Sequence, residues 1–332
     1  MAGTGKRLLV TSWVATDDHP TIAAARAAGY TVLNERRVTF RTEAEMLDLV
    51  KSLGGDIAGV VASSDGYSAA VMDACGPALK VISRVGVGYD SVDVKAATAR
   101  GIAVCTTPGA NHDSVADHAF GLILSLARMI PLQNDYVKAK SWKRLTAADA
   151  HGATLGILGL GKIGKGVARR ARGFDMRVVA YDPYWDEAFA KEHGVEKLPL
   201  EEVIKQADFL TLHLPASPET KHIMNAERLA LMKPTAYLVN TARGTLVDAP
   251  ALLAALKSGG IAGAGLDVFD AEPPFGTLGE ELLALDNVVG TPHVGGFSKH
   301  ANFAMVEMAV ENVTRVLSGQ PALFAVNQAD LK

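Results

Sequence analysis

Between residues 154 and 184 the chain reads TLGILGLGKIGKGVARRARGFDMRVVAYDPY, and this stretch narrows the possible folds more than any other. It opens on a short apolar run, 154–158, of the length of a buried strand. Gly159-Leu160-Gly161-Lys162-Ile163-Gly164 follows, a G-x-G-x-x-G turn. The pattern predicts a helix over 167–174 and a second strand over 176–181 that ends at Asp182. The three glycines serve different physical ends. Gly159 permits the tight turn, Gly161 lets the backbone approach phosphates, and Gly164 lets helix and strand pack closely. The free N–H groups at the helix N-terminus then face an anion. A carboxylate at position 182 accepts both ribose hydroxyls of NAD and repels the 2′-phosphate of NADP. A glycine-rich turn in any α/β protein explains the glycines but leaves Asp182 unexplained.

The 332 residues exceed the size of one core, which stops growing near ~250–300 residues, so two domains are expected. Apolar content of 48% and charged content of 21% are ordinary for a globular protein. A net charge of −3, with no Lys/Arg-rich run, leaves no electrostatic footprint for nucleic acid. Cys75 and Cys105 are the only cysteines and read as buried thiols in a reducing compartment. The first residues run straight into a strand, with no signal-peptide apolar segment. The most apolar stretch, 119–127, lies between His118 and Arg128 and is too short to cross a bilayer. A cytoplasmic protein is expected, engaging neither membrane nor nucleic acid and holding no metal.

Ahead of the glycine turn, strands are expected at 6–13, 30–33, 56–62, 80–84 and 102–105, alternating with helices at 21–29, 42–53, 68–75 and 93–100. Thr42 and Glu45 have capping-box spacing. Such alternation makes a parallel, helix-covered sheet. This half lacks a G-x-G-x-x-G turn. Pro108 and Gly109 break the pattern within 106–110 and mark a domain boundary. A helix over 114–129 is apolar on most sides, which argues for burial against another surface. Residues 131–149 are mixed and polar, contain Trp142-Lys143-Arg144, and suit an arm that reaches across a subunit interface. Beyond the glycine turn, strands are expected at 209–214, 237–239, 262–268 and 288–290, and helices at 225–232, 249–258 and 301–317.

Ligands of open α/β sheets sit beyond the carboxyl ends of the strands. Three polar groups fall there: Asn240-Thr241-Ala242-Arg243-Gly244, residues 267–272, and Thr291-Pro292-His293. Arg243 suits a two-point grip on a carboxylate. His293 suits proton transfer near neutral pH, and Glu272 is placed to pair with it and raise its pKa. Taken singly, each has a plain alternative: a structural ion pair, a loop histidine, a solvated carboxylate. His213, at another strand end, is expected to line a cofactor cleft rather than react.

These motifs, with Arg84-Val85-Gly86-Val87-Gly88-Tyr89-Asp90, Thr107-Pro108-Gly109-Ala110-Asn111, Tyr181-Asp182-Pro183, Leu266-Asp267-Val268-Phe269 and Glu272-Pro273-Pro274, cover nearly all of the chain. Together they resemble the D-isomer-specific 2-hydroxyacid dehydrogenase family, in its phosphoglycerate dehydrogenase-like branch. The resemblance implies two doubly wound parallel-sheet α/β domains: a flavodoxin-like substrate domain, 1–107 with 300–332, and a Rossmann NAD domain, 108–299, with the active site in the cleft between them. It implies a catalytic set in which Arg243 binds the substrate carboxylate, His293 is the general acid/base and Glu272 is its partner. NAD would be held by Gly159, Gly161, Lys162, Ile163, Gly164, Asp182, His213, Pro215, Thr220, Thr241, Ala242, Asp267 and Gly295. The substrate would meet Val85, Gly86, Val87 and Gly88, with Arg84 and Ser64 nearby.

Two departures from that branch bear on the substrate. The chain ends soon after its last helix, where many phosphoglycerate enzymes add a regulatory domain, so feedback through such a domain is not expected. The loop after the third strand, Ala62-Ser63-Ser64-Asp65, carries an acid where a base would meet a phosphate; Arg84, and Arg144 of a neighbouring subunit, are the other sources of positive charge. The reaction expected is NAD-dependent interconversion of a D-2-hydroxy acid and its 2-oxo acid, with 3-phosphoglycerate as one substrate. The alternatives are a glyoxylate/hydroxypyruvate reductase and a non-catalytic, NAD-sensing, corepressor-like binding protein. A formate dehydrogenase-type activity fits less well, since its histidine partner is usually a glutamine. The resemblance also implies a homodimer, or a dimer of dimers, paired through residues 114–129.

Overall fold

The computed structural model describes residues 5–331. The chain divides into two compact units, one made of the residues up to Asn111 together with those from Phe297 onward, the other of His112–Gly296. The expected limits, 107/108 and 299/300, move by a few residues. The first helix of the second unit already starts at His112, and the ring of Phe297 packs edge-on against Trp13 of the first unit, 5.5 Å away.

The first unit is a five-stranded parallel sheet, β1 (Arg7–Ser12), β2 (Thr31–Arg37), β3 (Ile57–Ala62), β4 (Val81–Arg84) and β5 (Ala103–Cys105), in the order β2-β1-β3-β4-β5. That is the flavodoxin-like order, with its switch at β1, which pairs with both β2 and β3. Side chains alternate across the sheet. Leu8, Val10 and Val61 face α1 (Pro20–Ala27) and the chain's last helix, Lys299–Leu317. Leu9, Val60 and Ile82 face α2 (Glu43–Ser52) and α3 (Ala69–Cys75). Burial on both faces explains why these strands read as near-continuous apolar runs. The helix α4 (Val94–Ala99) starts at the Asp93 cap. The capping box at α2 is made in full: the Glu45 amide donates to Thr42 Oγ1 and the Thr42 amide to Glu45 Oε2, at 3.3 and 2.9 Å. The strand β2 runs four residues past its expected end at 33, because as an edge strand it carries the polar Asn34-Glu35-Arg36-Arg37, which apolar patterning misses.

The second unit is a seven-stranded parallel sheet whose strands, from one edge to the other, are β12 (Val288–Gly290), β11 (Gly263–Leu266), β10 (Tyr237–Asn240), β9 (Phe209–Leu212), β6 (Thr154–Leu158), β7 (Arg177–Tyr181) and β8 (Val195–Lys197). Its helices are α5 (His112–Ala127), α6 (Ile130–Lys138), α7 (Lys162–Ala171), α8 (Glu187–His193), α9 (Leu200–Gln206), α10 (Ala226–Leu229), α11 (Ala249–Ser258) and α12 (Leu278–Leu283). The order reverses at β6, which pairs with both β7 and β9, so the glycine turn that follows β6 opens at the switch point. The helix expected over 167–174 begins five residues earlier and closes in a 3₁₀ turn, Arg172–Phe174, since the turn geometry outweighs the low helix propensity of Gly164 and Gly166. Segments α8, β8, α9 and α12 are too short or too exposed to show in the periodicity.

The apolar helix α5 is accounted for inside its own unit. Ala116, Ala119, Phe120 and Ile123 pack with Val167, Ala168 and Ala171 of α7 over Leu155 and Ile157. Its composition is therefore no argument for a subunit interface. The segment 131–149 holds all but the first residue of α6, which buries no residue, and carries an exposed Trp142 beyond that helix. Among the described residues, no single helix is long and apolar enough to cross a membrane. None of their His, Cys, Asp and Glu side chains gather in threes to hold a metal.

Candidate active site

The glycine turn is built as its spacing requires. Gly159 has φ +101°, and a Cβ there would lie 2.7 Å from the His213 carbonyl. A Cβ on Gly164 would lie 2.1 Å from the Gly159 oxygen, so only glycine lets α7 start this close to the turn. At Gly161 a Cβ would meet no protein atom within 4 Å. It would project into open space beside the uncapped N-terminus of α7, whose first amides have no side-chain acceptor. Uncapped amides beside a cradle that one methyl would fill fit a dinucleotide pyrophosphate. Lys162 and Ile163 are the first residues of that helix.

Asp182 follows β7 directly. Its Oδ2 accepts from the Leu160 amide and its Oδ1 from the Tyr184 amide, both at 2.6 Å. Each oxygen keeps a second acceptor position for a ribose hydroxyl. The same carboxylate thus ties the glycine turn to the end of β7, which the motif alone does not reveal.

Two buried polar atoms lie without a partner at neighbouring strand ends, His213 Nδ1 after β9 and Thr241 Oγ1 after β10. Orphans of this kind are costly unless a ligand completes them, and both fit a cofactor's polar groups. His213 Nε2 is 2.9 Å from Thr211 Oγ1, and burial holds the imidazole down at about 3. It is neutral at any working pH. The Thr220 hydroxyl donates to the Pro215 carbonyl at 2.7 Å and accepts from the Ser217 amide at 2.8 Å, which shapes the loop after β9.

Arg243 rides on a loop fastened by Asn240, whose Oδ1 accepts from the Ala242 amide while its Nδ2 donates to the Arg243 carbonyl, at 3.0 and 2.8 Å. The guanidinium donates through Nη1 to the Ala242 carbonyl at 2.6 Å. Glu272 and His293, 21 residues apart, meet with Nδ1 2.7 Å from Oε2; Glu272 Oε1 also accepts from the Phe269 amide at 3.1 Å. Engaging Nδ1 leaves Nε2 for proton exchange, and the ring is reachable, with 42% of the side chain exposed. His293 itself has φ +53°, a left-handed backbone that costs a non-glycine residue on the order of 1–3 kcal/mol. Its amide donates to the carbonyls of Asp267 and Thr291 at 2.9 and 3.0 Å.

Asp267, expected among the cofactor ligands, is buried beneath this turn. Burial alone would raise its carboxyl, but hydrogen bonds from His118, Thr291 and the amides of Val294 and Gly295 outweigh it and hold the group below its ordinary value. Gly295, also expected to touch the cofactor, spends its amide on Asp267 Oδ2 at 2.8 Å.

In the first unit, Arg84 is buried and serves its own loop. It donates to the carbonyls of Ala62 and Gly88 at 3.0 and 3.2 Å and to Ser64 Oγ at 2.8 Å. Neither Arg84 nor Ser64 is presented as a loose side chain. The loop Val85–Gly88 is held by Thr107, whose Oγ1 accepts from the Gly86 amide at 3.0 Å and whose own amide donates back to the Gly86 carbonyl at 2.9 Å. The acid of the loop after β3, Asp65, is turned inward onto the Arg41 amide at 2.7 Å, so it lends that loop no exposed charge. The motifs contain Thr107 and Asn240, but their tasks and that of His118 show only in the fold: Thr107 and His118 act on groups 21 and 173 positions away, and Asn240 fastens its own loop.

A glycine cradle at the switch point, a strand-end carboxylate, a histidine–glutamate pair and an arginine at a neighbouring strand end define a dinucleotide-dependent oxidoreductase that handles a proton along with a hydride. The family model described as "D-isomer specific 2-hydroxyacid dehydrogenase, NAD binding domain" matches residues 120–295. A glyoxylate reductase of Pyrococcus furiosus is 45% identical over 265 residues, 77% of this chain and 78% of that one. A D-3-phosphoglycerate dehydrogenase of Methanocaldococcus jannaschii is 45% identical over 256 residues, 76% of this chain but 48% of that one. The crystal structure of a glyoxylate reductase from Paecilomyes thermophila is 29% identical, with a TM-score of 0.84 over 98% of this chain and 99% of that one. The chain belongs to the D-isomer specific 2-hydroxyacid dehydrogenase family. It is an NAD-dependent oxidoreductase acting on CH–OH groups of 2-hydroxy acids or on the matching 2-oxo acids.

Proposed function

We propose that this chain is a reductase of small, unphosphorylated 2-oxo acids, of the glyoxylate and hydroxypyruvate kind. One observation carries the choice: in the first unit the basic residue of the substrate loop, Arg84, is committed to Ala62, Gly88 and Ser64, and the loop after β3 offers no base. A phosphate would need a cation there. Arg243 grips the substrate carboxylate. Bound NADH supplies the hydride that C2 receives. His293 Nε2 gives its proton to the carbonyl oxygen, while Glu272 holds the ring by Nδ1 and offsets its positive charge. Run backwards, neutral His293 takes the hydroxyl proton.

The test is NADH oxidation against glyoxylate, hydroxypyruvate, pyruvate and 3-phosphohydroxypyruvate. Glyoxylate or hydroxypyruvate should show the highest kcat/KM; a higher value for 3-phosphohydroxypyruvate would instead make the chain a phosphoglycerate dehydrogenase. His293→Ala should abolish turnover with NADH binding intact. We also propose a homodimer that covers the exposed Ile130, Val137 and Trp142 on and after α6. A fully active monomer by light scattering at micromolar concentration would refute that assembly.

A further inference from the structure

The turn that carries His293 is gripped from beneath by side chains that take no part in the chemistry above. Asp267, 1% exposed at the end of β11, accepts on Oδ1 from Thr291 Oγ1 at 2.7 Å and from the Val294 amide at 2.9 Å, and on Oδ2 from the Gly295 amide at 2.8 Å. One carboxylate therefore holds the residue two before His293 and the two that follow it. His118, on α5, closes the set: its Nε2 lies 2.9 Å from Thr291 Oγ1 and 3.3 Å from Asp267 Oδ1. The Thr291 hydroxyl has one proton, and the buried carboxylate takes it, so Thr291 accepts from His118 and the ring carries its proton on Nε2. Gly295 is part of the fit, since a Cβ there would stand 2.9 Å from Asp267 Oδ2. A bulky residue at φ +53° persists only where its surroundings over-determine it, and these contacts do so.

We propose that His118 and Thr291 are positioning residues for the reaction: through Asp267 they clamp the left-handed turn at His293 and so keep the imidazole aligned on Glu272 with Nε2 toward the substrate. The inference rests on His293 being the acid/base. Displacing such a group by a fraction of an ångström to an ångström slows the chemical step without weakening cofactor binding. Thr291→Val keeps the shape but removes the bridging hydroxyl, and His118→Leu removes the donor. Each should lower kcat roughly 10- to 100-fold, with the NADH dissociation constant within about threefold of wild type. The primary isotope effect on kcat with 4-deuterated NADH should rise, as the chemical step becomes limiting. His118→Gln, which presents an N–H at similar reach, should recover most of the loss and serves where His118→Leu fails to fold. Wild-type kcat in Thr291→Val and His118→Leu, alongside an inactive His293→Ala, would overturn the positioning role and leave the acid/base assignment standing. Weakened NADH binding with an unchanged isotope effect would overturn it too, as the mark of a merely structural network. An active His293→Ala would instead remove the reading on which the inference rests.

Discussion

Arg243 sits on extended backbone in a loop that Asn240 ties at Ala242 and at Arg243 itself, so the side chain starts from a fixed point. A charged, two-point contact left unmade costs about 1.5–3 kcal/mol. Arg243→Ala is expected to lower kcat/KM for the 2-oxo acid ~10- to 200-fold. Arg243→Lys keeps the charge, loses the planar fork and should recover only part. Steady-state kinetics of the two variants check this. Asp182 has two duties, a ribose contact and the grip on the Leu160 and Tyr184 amides. Asp182→Ser should raise the KM for NADH and narrow the preference over NADPH, as a repelling charge is lost and the turn loosens. A wild-type enzyme that used both cofactors equally would contradict the role given to the carboxylate.

The strand–turn–helix element separates two kinds of glycine. Gly164 is required by the protein itself, since any Cβ there would overlap the Gly159 carbonyl at 2.1 Å. Gly161 is required only by what enters the cradle, where a Cβ would touch no protein atom within 4 Å. Gly164→Ala should therefore lose about 1–3 kcal/mol of stability, read as a lower Tm, along with cofactor binding. Gly161→Ala should keep the wild-type Tm and still weaken NADH roughly tenfold or more, because the new methyl stands between phosphate and amides. Calorimetry and NADH fluorescence titration of the pair distinguish the two roles. Equal Tm losses in both variants would place Gly161 among the structural glycines instead.

At the scale of the whole molecule, buried titratable groups couple folding to pH. His213 is held near 3 in the fold, whereas the unfolded chain takes up its proton near ~6.5. The sign follows: between these values the unfolded state binds more protons, so stability is full above about 6.5 and falls as pH drops toward 3, by at most ~1.4 kcal/mol per pH unit. Asp267, held below its ordinary value, adds a loss in the same direction at the acid end. Urea unfolding at pH 7 and pH 5 should show the decline, and His213→Gln should flatten it above the carboxylate range. An unchanged slope in that variant would mean another group carries the effect.

What could be read from the residues alone was what depends on near neighbours. The glycine spacing, Asp182 at a strand end, the Thr42–Glu45 box and the strand-end placement of Arg243, Glu272 and His293 are local patterns, and strand-by-strand alternation makes the parallel sheets follow from them. The parallel pairing of all seven strands then puts those strand ends on one edge of one sheet. Folding in three dimensions decided the rest, because the remaining features are contacts between distant positions. Thr107 looks like an ordinary loop residue until the chain closes and brings the Gly86 amide to it from 21 positions away. Arg84 and Asp65 read as charges available to a substrate, yet burial turns both to internal duty. The apolar face of α5 suggested a subunit contact and is covered by α7 instead. His118 reaches Thr291 across 173 positions, a distance at which no periodicity or motif can act, and only packing brings the two within 2.9 Å.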